Sequence, residues 1–206
     1  RGADAATALG LPGAAATAAQ LRSVSAQTLV AHPSTQTGFT LPVGFTRGPD
    51  SKVGAPIDGK FKTTSTLDAL NAGTENDVPV MVGSNSGEGG FDAARTIAKL
   101  AGDSGAGAWL YQFAYIPAFR KDEWKNGAIH SAELMFTFDS IDTSSWGQSA
   151  GGKADDADRQ FAKQVNSCWI AFYKMDPKAK SLTCTNGVVW PAYTDAADEA
   201  MQFKDK

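Results

Sequence analysis

Two side chains carry most of the chemistry this chain could perform. Glu88 lies in the glycine-rich loop Ser84-Asn85-Ser86-Gly87-Glu88-Gly89-Gly90, directly after the apolar run Val78-Pro79-Val80-Met81-Val82-Gly83. Active sites of α/β sheets form at the carboxyl ends of strands, where a carboxylate can orient an imidazole and offset its charge. His130 is one of only two histidines and sits in Gly127-Ala128-Ile129-His130-Ser131-Ala132-Glu133. Its small neighbours give the clearance that a general base needs to approach a nucleophile and a substrate. Singly, each has a plainer reading: a solvated loop glutamate and a capping histidine. Together, an acid and then a histidine, each beyond a strand, read as the orienting and proton-transferring parts of a hydrolytic site. The other histidine, His32, precedes Pro33 in a polar stretch and reads as structural.

A nucleophile is the missing part. Gly147-Gln148-Ser149-Ala150-Gly151-Gly152 fits G-x-S-x-G, but a nucleophile elbow needs a buried apolar strand just before it. Here the preceding residues, Asp139-Ser140-Ile141-Asp142-Thr143-Ser144-Ser145-Trp146, are polar. The motif also follows the acid and the histidine, which reverses the Ser…Asp/Glu…His order of α/β-hydrolases. Ser149 is therefore read as a surface-loop serine.

The pattern of motifs resembles the type-B carboxylesterase and cholinesterase-like family, in order from about residue 9 to 193. Pro56-Ile57-Asp58-Gly59 followed by Val78–Gly89 is similar to the family's P-x-x-D-G and V-P-x-x-x-G-x-N-x-D-E-G, which holds its catalytic glutamate. Gly127-Ala128-Ile129-His130-Ser131-Ala132-Glu133-Leu134 resembles G-A-x-H-x-x-E-L, which holds its catalytic histidine. Cys168-Trp169-Ile170-Ala171-Phe172 and Trp190-Pro191-Ala192-Tyr193 are similar to its closing W-x-x-F-A and W-P-x-Y segments. The resemblance implies a serine esterase with Glu88 as triad acid and His130 as general base, acting on a small-molecule ester without metal or organic cofactor. It departs from the family in three places. Gly87 replaces the Asp of D-E-G, and Trp109 follows Glu88 by only 21 positions, where the family carries a long helical insert. Neither the family's G-E-S-A-G-G nor its H-G-G precedes Glu88. The expected nucleophile is then a serine on an N-terminal portion of the same hydrolase. Two alternatives stand beside this: a non-catalytic cholinesterase-like binding module, and a small hydrolase that uses Ser149.

The elements that must position these residues follow from hydrophobic periodicity. Val78–Gly83 predicts a strand buried on both faces, and Trp109-Leu110-Tyr111-Gln112-Phe113-Ala114-Tyr115 a second strand dense in aromatics. Between them Phe91, Ala94, Ile97, Ala98 and Ala101 recur at helical spacing up to Gly102. Phe161, Val165, Cys168, Trp169 and Phe172 predict an amphipathic helix. Its acidic start at Asp155, Asp156 and Asp158 suits the positive end of the helix dipole. The expected fold is α/β, the C-terminal part of an α/β-hydrolase with a central, mostly parallel sheet flanked by helices, incomplete in this chain. Residues 1–77 form a helical and loop lead-in, 78–139 the strands bearing the acid and histidine loops, and 140–206 a surface loop, a helix and a tail.

Composition narrows the partners. The 206 residues carry a net charge of −3 with no dense basic run, which argues against nucleic-acid binding. No apolar stretch is long enough to span a membrane. The two cysteines, Cys168 and Cys184, stand 16 positions apart with no C-x-x-C, so a disulfide is the sharper reading and buried thiols the plainer one. A disulfide points to a secreted or periplasmic setting.

Overall fold

The structure is a computed structural model and describes residues 2–31, 57, 59–145 and 153–205. His32, Ser149, Pro56 and Asp58 lie outside the described residues. The chain divides into two compact units, Arg1–Thr63 and Thr64–Lys206.

The first unit contains short helices: α1 (Gly2–Ala8), α2 (Ala18–Ser23) and α3 (Ala26–Ala31), with a 3-10 turn over Gly13–Ala15. Local hydrogen bonding sets their starts. Thr17 and Gln20 form a capping box at α2, and Ser25 Oγ accepts the Thr28 N–H at 3.0 Å to cap α3.

The second unit is mixed α/β. Helix α4 (Thr66–Ala72) is capped by Ser65 and precedes β1 (Val80–Asn85), α5 (Phe91–Ser104) and β2 (Ala108–Phe113). Strands β1 and β2 run parallel from Val80 opposite Ala108 to Asn85 opposite Phe113, the pairing that a helical crossover permits. A one-turn helix α6 (Leu134–Thr137) and the long helix α7 (Asp156–Lys174) follow. The antiparallel pair β3 (Ser181–Thr183) and β4 (Val189–Pro191) comes next, and β5 (Met201–Phe203) then returns parallel to β2. The sheet order is β1-β2-β5.

Strand β2 is the centre of the fold, and its side chains alternate between two apolar layers. Ala108 and Leu110 pack with Ala94, Ala98 and Ala101 of α5 and with Tyr193. Trp109 and Phe113 belong to the larger aromatic layer with Phe136, Val165, Cys168, Trp190 and Phe203. Within it Tyr115 stacks on Phe161 with centroids 3.9 Å apart. This period of two places α5 on one face of the sheet and α7 on the other.

Three expectations differ from the structure. Val80, Met81 and Val82 are only half-buried rather than buried on both faces. The cause is position: among the described residues β1 pairs with β2 alone, whereas β2 has a neighbour on each side. Strand β2 ends at Phe113 instead of Tyr115, because Tyr115 turns its hydroxyl into the buried Asp158 carboxylate at 2.8 Å. Helix α5 runs past Gly102 to Ser104 and stops at Gly105.

Candidate active site

Both candidate residues follow a sheet strand in the chain. Strand β1 ends at Asn85, and the chain turns through Ser86-Gly87-Glu88-Gly89-Gly90 before α5 begins at Phe91. After β2 the chain runs through a 3-10 turn at Ala118–Arg120 and reaches Ala128, Ile129 and His130 just before α6.

The two loops are bonded to each other before their side chains meet. The Gly87 N–H donates to Ala128 O at 2.9 Å, and the Ala128 N–H donates to Ser86 Oγ at 3.0 Å. The backbones approach so closely that a Cβ on Gly87 would lie 2.8 Å from Ala128 O and 2.9 Å from Gly127 C. A Cβ on Gly127 would lie 2.7 Å from Ser86 Oγ, at a φ of 113° that side chains rarely adopt. Glycine at position 87 therefore has a steric reason in this chain.

This packing brings Glu88 and His130 together. Glu88 Oε2 and His130 Nδ1 are 2.6 Å apart, a charge-assisted distance. A carboxylate only accepts, so the partners assign the proton to Nδ1 and leave Nε2 as the basic nitrogen of the neutral ring. Glu88 Oε1 accepts the Asn85 N–H at 3.1 Å. The Glu88 side chain is 29% exposed and that of His130 69% exposed. The carboxylate is thus anchored while the imidazole reaches outward. Ser131, directly after His130, holds a φ of 65°, an uncommon conformation that turns the chain into α6.

The Tyr111 hydroxyl of β2 is affected by the same loops. Burial first, and then the Glu133 and Glu88 carboxylates, push its pKa far above that of a free tyrosine, so it stays neutral. A cleft of about 610 Å³, lined by Lys121, Trp124, Lys125 and Lys204 among others, contains neither Glu88 nor His130.

No family model, curated protein or solved structure matches the chain.

Cys168 and Cys184 form a disulfide that ties α7 to the turn after β3, with the Cα atoms 4.5 Å apart. Both cysteines are almost fully buried. The bond hints weakly at an oxidising compartment. Among the described residues no helix is long and apolar enough to cross a membrane.

Asn85, Ser86 and Glu133 hold the two loops together, and no sequence signal singles them out. Asn85 and Glu133 stand inside the two motif segments, but a polar residue in a motif does not disclose its partner. The contacts span 44 positions from Asn85 to Ile129 and 48 from Asn85 to Glu133.

Proposed function

We propose that this chain supplies the acid and the general base of a Ser-His-Glu triad in a carboxylic ester hydrolase. The nucleophilic serine stands on an N-terminal portion of the same hydrolase. The single observation that supports this reading is the 2.6 Å contact between Glu88 Oε2 and His130 Nδ1. The motif resemblance to type-B carboxylesterases adds the substrate class and the identity of the nucleophile.

The chemistry follows from the tautomer. His130 Nε2 accepts the serine proton as the serine oxygen attacks the ester carbonyl. Collapse of the tetrahedral intermediate breaks the bond to the alcohol oxygen, which takes that proton from the imidazolium. His130 then accepts a proton from water as the water attacks the acyl-enzyme, and returns it to the serine oxygen when the acid leaves. Glu88 holds Nδ1–H throughout and offsets the positive charge of the ring in both half-reactions.

The test is intact-mass measurement of the native preparation after reaction with a fluorophosphonate probe, under denaturing conditions with and without reductant. The expected result is a co-purifying polypeptide, or a longer chain, that carries the adduct outside this segment. A single 21.6 kDa species that takes the label would overturn the reading in favour of Ser149. A single unlabelled species of that mass would favour a binding module.

A further inference from the structure

We infer that Asn85 is the positioning residue of the Glu88–His130 pair, an inference that rests on the proposed reading of that pair as acid and base. Asn85 closes β1 and is the one fully buried residue of that strand, 2% exposed. Its side-chain amide donates to Ile129 O at 2.7 Å and to the Glu133 carboxylate. Both partners only accept, so the amide nitrogen and not the oxygen must face them.

The same residue holds the acid. The Asn85 N–H donates to Glu88 Oε1 at 3.1 Å, and the Glu88 N–H donates back to Asn85 O at 3.2 Å. A closed circuit results. It runs from Asn85 N–H to Oε1, through the carboxylate to Oε2, across to His130 Nδ1, back along the chain to Ile129 O, and into the Asn85 amide. One residue thereby holds both partners: its backbone N–H holds the carboxylate that accepts the imidazole proton, and its buried side-chain amide holds the backbone that immediately precedes the imidazole. Ser86 and Gly87 also join the loops, but they bond the histidine loop at Ala128 and not the Glu88 carboxylate.

The amide is specified chemically as well as sterically. An aspartate of the same shape would lose both donors to Ile129 O and Glu133 and would set a second carboxylate against Glu133. Buried acceptors left without donors, and like charges in contact, both drive the loops apart. The consequence is a longer or broken Glu88–His130 bond with the rest of the sheet intact.

The test is proton NMR of the 206-residue chain in the low-field region, where an imidazole Nδ1–H bonded to a carboxylate resonates. The wild-type chain is expected to show this resonance, and Glu88→Ala, which removes the acceptor, to lose it, which assigns it. Asn85→Asp and Asn85→Ala are expected to lose it while the backbone amide dispersion is kept. An unshifted resonance in both variants would overturn the role of Asn85 and leave the acid–base pair standing. Absence of the resonance from the wild-type chain would overturn the pair itself. A measurement on the wild-type chain decides the case if both variants misfold. The Asn85 side-chain amide protons should exchange slowly and show an Overhauser contact to the His130 Hα. Rapid exchange without that contact would overturn the inference.

Discussion

Gly87 and Gly127 face each other across the two loops at a separation that leaves no room for a side chain on either. A Cβ on Gly127 would lie 2.8 Å from the Gly87 nitrogen, and one on Gly87 would lie 2.9 Å from the Gly127 carbonyl oxygen. Real Cβ atoms do not approach backbone so closely, and backbone cannot yield as a flexible side-chain end can. Gly87→Ala is therefore expected to lower stability by about 1–3 kcal/mol, in the range of overpacking substitutions. Gly127→Ala should cost more, because it adds the strain of a positive φ to the clash. Urea unfolding of the variants checks both, and a midpoint unchanged by Gly87→Ala would contradict the close approach. Gly87→Asp, which adds a larger and charged side chain at the same close approach, should be the more damaging change at that position.

In the proposed reading Glu88 contributes by orienting and neutralising the imidazole, which sets the size of its expected effect. Glu88→Gln keeps the shape but leaves an uncharged side chain, free to present either its NH2 or its C=O to Nδ1. If the proposed reading holds, kcat for ester hydrolysis by the full protein is expected to fall on the order of 10⁴-fold, the loss seen when a triad acid becomes an amide. KM should move little, since Glu88 is expected to meet the histidine and not the ester. Steady-state kinetics on a chromogenic ester measure this. A loss below about tenfold would remove Glu88 from the triad.

The sequence disclosed the parts of this fold that repeat with a period and hid those that depend on a distant partner. Val80–Asn85, Phe91–Ser104 and Ala108–Phe113 were legible because their apolar positions recur at strand or helix spacing. Glu88 and His130 were legible as residues, through their loops and motif context. Their 2.6 Å contact was not, because it depends on two glycine backbones meeting across 40 positions. Strands β3 and β5, Ser181-Leu182-Thr183 and Met201-Gln202-Phe203, are too short to show alternation and exist because tertiary partners pair with them. The half-burial of β1 was equally hidden. A run of valines and a methionine reads as a strand buried on both faces wherever it stands in a sheet, including at an edge.

The disulfide between Cys168 and Cys184 closes a short loop that joins α7 to the β3–β4 hairpin. In the chain-entropy model a loop of about this size contributes roughly 3 kcal/mol by restricting the unfolded chain. Replacing both cysteines by alanine is expected to lower stability by about that amount, read from the urea midpoint. Adding reductant to the wild-type chain should bring its midpoint close to that of the variant. Equal midpoints for oxidised and reduced chains would show that the hairpin is held by packing of Leu182 and Trp190 alone, both of which are buried.

Tyr115 gives the fold a defined alkaline limit. Its ring is 6% exposed, and its hydroxyl donates to Asp158 Oδ1 at 2.8 Å. Burial, the hydrogen bond to Asp158 and the nearby Asp158, Asp205 and Asp155 charges all raise its pKa well above that of a free tyrosine. The unfolded chain releases this proton near pH ~10 while the folded chain keeps it, so the folded state binds more protons above that pH. The stabilisation is therefore complete below pH ~10 and is lost as pH rises through the folded value, by about 1.4 kcal/mol per pH unit for this residue. Tyr111 and Tyr193 are shifted in the same direction and add to the slope. Tyr115→Phe removes one share. It is expected to be less stable than wild type by about 1–3 kcal/mol at neutral pH, where the buried Asp158 loses a donor. The variant should then lose stability less steeply above pH ~10, so that the two curves converge. Urea unfolding at a series of pH values from about 7 to about 11.5 measures both effects. Parallel curves across that range would show that the Tyr115 hydroxyl ionises as freely in the folded chain as in the unfolded one.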